Sequence, residues 1–127
     1  MESVMEIGKK LVELVNEGKS GVAIDTLYSP DIVSIEAMAM PPRPQQFVGL
    51  AAVKEKAEWF ESNHDIHHLQ ATGPWPHGDR FITCFKLDVT AKTGPMAGRR
   101  FTMEEAALYT VKNRKIVKEE FFYSRGG

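Results

Sequence analysis

Residues 80–123 alternate apolar and polar side chains through three runs separated by two reversals, a pattern that constrains this chain to a long antiparallel sheet. In the first run, residues 80–90, Phe81, Thr83, Phe85, Leu87 and Val89 share one face and Ile82, Cys84, Lys86 and Asp88 the other. The loop Thr93-Gly94-Pro95-Met96-Ala97-Gly98 can reverse the chain, which returns as residues 99–111. A second reversal falls at Asn113-Arg114, where an Asn-Gly pair would be usual, so either Arg114 takes an unfavourable backbone or the loop is longer than a two-residue turn. With Lys92 opposite Arg99 and Lys112 opposite Lys115, Leu87 faces Glu104, Phe85 faces Ala106, Leu108 faces Glu119 and Glu104 faces Tyr123, all on the face of Phe81 and Phe85. A single bulge would exchange Glu104 for Glu105.

The 127 residues suit one domain, 1–127, able to bury a core without disulfides. With 16 basic and 17 acidic residues and no basic block, the chain lacks the electrostatic footprint of a nucleic-acid or anionic-membrane partner. Cys84 stands alone and reads as a small core residue, which suits the reducing cytoplasm. The charges Glu2, Glu6, Lys9, Lys10 and Glu13 interrupt any signal-peptide core at the start, and no run approaches the length of a membrane span.

Ahead of the sheet lies helical cover. Val4, Ile7, Leu11, Leu14 and Val15 recur at helical spacing over residues 2–17, and Gly18 ends that helix. Ser20 can cap a shorter helix carrying Val22, Ala23, Leu27 and Tyr28, which Pro30 stops. Residues 31–38 alternate as a strand whose less apolar face carries Glu36. Met40, Pro41, Pro42, Arg43 and Pro44 make a flap, either a plain connection or the rim of a pocket. A third helix spans residues 50–62, with Val53, Ala57 and Phe60 inward, Trp59 at the edge of that stripe, and Lys54, Glu55, Lys56 and Glu58 outward. Residues 66–73 read as a strand stopped by Pro74-Trp75-Pro76.

This order, with Leu27-Tyr28-Ser29-Pro30-Asp31, Phe47-Val48-Gly49, Thr72-Gly73-Pro74, and Tyr109-Thr110-Val111 through Lys115-Ile116-Val117 to Phe121-Phe122-Tyr123, resembles the SnoaL-like branch of the nuclear transport factor 2-like superfamily over nearly the whole chain. The resemblance implies an α+β cone, a curved antiparallel sheet wrapped around a pocket and covered by three helices. It also implies a small-molecule pocket, no cofactor, and a homodimer formed through the convex sheet face, here Ile82, Cys84, Met103, Ala107, Tyr109 and Phe122. Against the ketosteroid isomerases of that superfamily, Glu36 falls where their general base lies. Leu11 falls at their oxyanion-holding tyrosine and Ala106 or Ala107 at their second acid, so both electrophilic groups are missing.

The candidate catalytic set is therefore Glu36 as base, with Glu104, Glu119, His67 and Tyr123 as acid and orienting groups. Carboxylates crowded into an apolar cavity raise one another's pKa towards neutrality. Tyr28, Met40, Trp59, Phe81, Phe85, Leu108 and Phe121 are the candidate ligand contacts. His64, His67 and His68 do not make a metal site, because neighbouring strand residues point to opposite faces; alternation with Leu69 and Ala71 turns His67 towards the pocket. Two functions follow: a cofactor-free isomerase, cyclase or dehydratase acting on a hydrophobic carbonyl compound, or a non-catalytic module for apolar ligand binding or dimerisation. Convergent glutamates favour the first and glutamates locked to arginines the second.

Overall fold

The computed structural model describes residues 3–123. Its elements run α1 (Val4–Asn16), α2 (Ser20–Leu27), β1 (Tyr28–Ile35), β2 (Gln46–Val48), α3 (Leu50–Asn63), β3 (His64–His77), β4 (Arg80–Ala91), β5 (Arg100–Lys112) and β6 (Lys115–Phe122). One open, curved sheet of order β2-β1-β6-β5-β4-β3 carries all six strands, antiparallel throughout except where β1 lies parallel to β6. Three helices cover one face, giving the expected α+β architecture.

Ser3 caps α1 by accepting from the Glu6 amide at 3.1 Å, and Ile7, Leu11 and Val15 form its buried stripe. The helix sits so close to the sheet that a Cβ on Gly8 would come within 2.7 Å of Pro74 Cβ. Tyr28 was expected to close α2 but opens β1 instead, with extended backbone at φ −89° and ψ 141°. Pro30 makes helical geometry unfavourable just upstream, and the chain turns to pairing early. β3 likewise continues through Pro74-Trp75-Pro76 by shifting register between Thr72 and Trp75. The flap ends in β2, which pairs with β1, and is pinned to α3 by a bidentate Arg43–Glu55 pair at 2.7 and 3.1 Å, with the guanidinium 4.5 Å over the Trp59 ring.

The register of the long strands departs from expectation at two points. The β4–β5 pairing begins one residue earlier, with Gly98 N–H donating to Ala91 O and Ala91 N–H to Arg99 O, so Phe85 faces Glu105 and Leu87 faces Met103. At the second turn Asn113 and Arg114 both take positive φ, 52° and 65°, closing a two-residue reversal without glycine. Beyond it, β6 carries an extra residue: Val111 pairs with Ile116, but Thr110 pairs with Lys118. The concave face therefore bears Met103, Glu105, Ala107 and Tyr109 of β5 and Glu119 and Phe121 of β6. Glu104, Ala106 and Leu108 belong to the convex face. Met103, Ala107 and Tyr109, expected outside, pack in or against the core.

Candidate functional site

A cavity of about 170 Å³ lies between the concave face and the helices, walled mainly by Leu11, Val15, Leu69, Phe85, Leu87 and Phe121. Its polar residues are Ser20, Tyr28, Lys56, Glu105, Tyr109 and Glu119. Lys56 was expected on the outside of α3, yet it stands three residues after Val53 and four before Phe60, on the stripe that turns inward. Its Nζ donates to Ser34 Oγ at 2.6 Å and to Glu36 Oε2 at 3.0 Å, lies 4.0 Å from Glu119 Oε2, and sits 4.7 Å over the Phe121 ring.

Around that ammonium the acids take different parts. Glu119 is buried, 2% exposed, and accepts from Tyr28 Oη at 2.5 Å and from Ser34 Oγ at 3.0 Å. Burial pushes its carboxyl up, an effect that Lys56, Tyr28 and Ser34 oppose and Glu36 reinforces. Tyr28 and Tyr109 are pushed well above the ordinary phenol range, first by burial and then by the charge of Glu119. Glu36 follows the inward Ile32 and Ser34 of β1, but it stops at the polar edge outside the cavity wall, held by Lys56 and by Tyr123 Oη, which donates to its Oε1 at 3.2 Å. The Tyr123 hydroxyl is raised by burial and by Glu36.

Glu105 differs from both. It lines the cavity, and among the described residues no hydrogen bond or ion pair holds its carboxylate. Burial, with Glu36 and Glu119 adding to it against the opposing pull of Lys56, raises its pKa to about 7.

Three expected cavity acids and bases are thus placed elsewhere or differently. Glu104 points outward, its side chain 74% exposed, and pairs with Lys86 across the strands at 3.5 Å, because the one-residue register change turned it out and Glu105 in. His67 is the unpaired residue where β3 slips between Ile66 and His68; it is exposed and meets Thr90 Oγ1 at 2.7 Å. Glu36 is salt-bridged rather than free. Of the expected ligand contacts, Tyr28, Phe85 and Phe121 line the cavity. Leu108 lies on the convex face, Met40 is exposed in the flap, Trp59 lies under Arg43, and Phe81 is buried below the cavity with its ring 4.9 Å from Tyr109. His64 stacks on Phe60 at 4.2 Å. Among the described residues no group of three or more His, Cys, Asp or Glu is arranged to hold a metal ion.

A curved sheet closed by three helices over a cavity that mixes apolar walls with carboxylates defines a nuclear transport factor 2-like fold of the ketosteroid isomerase type. Within it, the profile of the SnoaL-like domain matches residues 3–123, and the chain belongs to that family. A crystal structure from Mesorhizobium loti, named for SnoaL-like polyketide cyclases, is 39% identical, with 96% of this chain and 100% of that one covered at a TM-score of 0.88. A nuclear transport factor 2-like protein from Burkholderia thailandensis is 18% identical, covering 98% and 92%, with a TM-score of 0.81. A ketosteroid isomerase-like protein from Catenulispora acidiphila, solved with trimethylamine, is 17% identical, covering 94% and 85%, with a TM-score of 0.67. No curated protein matches the chain.

Proposed function

We propose that this protein is a cofactor-free isomerase, cyclase or dehydratase of the SnoaL-like type that moves a proton on a hydrophobic carbonyl-containing small molecule, with Glu105 as the proton acceptor. The observation that carries this reading is an unpaired carboxylate on an apolar cavity wall whose pKa of about 7 matches the pH at which it would work. In the step envisaged, a Glu105 oxygen takes a proton from the carbon next to the carbonyl and the C–H electron pair moves to the carbonyl oxygen. Lys56 meets the resulting enolate. Of its three N–H donors, two serve Ser34 and Glu36, leaving one for the ligand. Glu105 then returns the proton, to another carbon in an isomerisation. Glu36 and Glu119 hold Lys56 in place, and Tyr123 orients Glu36.

The hydrogen exchange of phenylacetone in deuterium oxide, followed by proton NMR, tests the step without knowledge of the natural substrate. Wild type should accelerate exchange of the benzylic protons, with a rate that rises through about pH 7. Glu105→Gln should lower the enzymatic rate by about a hundredfold or more, while Glu104→Gln leaves it unchanged. Equal rates for wild type and Glu105→Gln would return the cavity to a non-catalytic binding role, a reading that draws support from the hydrogen-bonded chain holding Glu36 and Glu119.

We also infer a homodimer through the convex face and a cytoplasmic site of action. The first rests on the exposed Trp75, Ile82 and Phe122, the second on the lone thiol of Cys84. No helix among the described residues is long and apolar enough to cross a membrane.

A further inference from the structure

We propose that the cleft between α2 and α3 is an outer subsite continuous with the cavity, which receives the polar remainder of a ligand whose ring-sized head lies inside. The inference rests on the cavity being the ligand site, but not on Glu105 being the base. Size is the first argument. At about 170 Å³ the cavity compares with engineered cavities of about 150 Å³ that take up benzene, so it holds a single ring and its carbonyl but not a fused multi-ring skeleton. A larger ligand must extend outward.

The structure offers one route for that extension. A second hollow of about 280 Å³ lies between α2 and α3, and Ser20, Ile24 and Ala57 line both spaces, so the two adjoin across these three side chains. Across the cleft Lys54 pairs with Asp25 at 2.6 Å, joining α3 to α2, and Glu58 and Glu61 complete its wall. Three carboxylates (Asp25, Glu58, Glu61) against one ammonium (Lys54) leave a formal charge of −2. Such a lining accepts hydrogen bonds from hydroxyl or amino groups and disfavours a carboxylate. The ligand class is therefore a ring-sized ketone or related carbonyl compound bearing a hydroxylated or amino side chain.

Gly21 supplies the test. It lines the cleft on helical backbone, and a Cβ there would meet nothing within 4 Å, so a side chain can fill the cleft without straining the fold. Phenylacetone and phenylacetone bearing a para-hydroxybutoxy chain are titrated calorimetrically into wild type, Gly21→Ala and Gly21→Phe. Wild type and Gly21→Ala should bind the extended probe about tenfold or more tighter, equivalent to about 1.4 kcal/mol. Gly21→Phe should abolish that gain and leave phenylacetone within about twofold. In amide NMR spectra of wild type, the extended probe alone should shift Gly21, Asp25, Glu58 and Glu61. An extended probe that binds no tighter than phenylacetone, or a Gly21→Phe variant that weakens both equally, would overturn the subsite. Failure of both probes to bind would overturn the cavity as a ligand site and the subsite with it. Normal binding of both without hydrogen exchange would overturn only the proton-transfer reading.

Discussion

Burial at Glu105, reinforced by Glu36 and Glu119, outweighs the pull of Lys56, and the carboxyl keeps its proton to about pH 7. The raised value has a stability consequence with a definite sign. Below the ordinary value of 4.5 the group is protonated in both folded and unfolded chains; as pH rises to about 7 only the unfolded chain readily gives up its proton. The stability Glu105 contributes is thus fully present below pH 4.5 and lost as pH passes through about 7. Glu105→Gln should melt at nearly the wild-type temperature at acid pH. It should become more stable than wild type above neutrality, by on the order of 1–3 kcal/mol after allowance for partial exposure. Loss of stability at alkaline pH would mean that the carboxylate has a partner. Lys56 is the second residue on which the site turns. Its inward position was legible in its spacing from Val53 and Phe60, but a lysine between Glu55 and Glu58 reads as a solvated charge until the carboxylates it meets are brought from β1 and β6.

Among the elements, β5 shows how a site can be half legible. Its own alternation of Phe101, Met103, Ala107, Tyr109 and Val111 marks the odd-numbered face as the apolar one, and so places Glu105 inside. The register that the Thr93–Gly98 loop suggests differs from the observed pairing by one residue and turns Glu104 in. The bulge in β6 moved it by one more. Two one-residue displacements restore the original facing, which is why Glu119 and Phe121 reach the concave face as expected while the residues of β5 change sides. Neither loop length nor bulge position is written in local periodicity. Both are settled by what the sheet must bury, with Tyr109 and Ala107 taken to 2% and 0% exposure. His67 left the expected face for the same reason, a slip in β3.

For the molecule as a whole, the order of helices and strands was readable from the helical period of α1, the alternation of the long strands and breaks such as Gly18, although Pro74-Trp75-Pro76 did not end β3. The cavity's chemistry was not, since it joins residues from α2, β1, α3, β5 and β6. The convex face likewise joins residues from several strands. The register sets Trp75 beside Ile82 and Ile82 beside Leu108, with Cys84, Ala106 and Phe122 in the neighbouring row, and Trp75 and Phe122 stand 54% and 53% exposed. That apolar row predicts a dimer at micromolar concentration by sedimentation equilibrium, and Ile82→Lys with Phe122→Lys should yield a folded monomer; a monomeric wild type would rule out the interface. All of this architecture bears on one group, because the sheet, the helices and Lys56 together set the proton affinity of Glu105. The most direct measurement is a carbon-13 NMR titration of the glutamate carboxyls, assigned with Glu105→Gln. A Glu105 midpoint at about 7 is the predicted result, and a midpoint at the ordinary value of 4.5 would contradict the account.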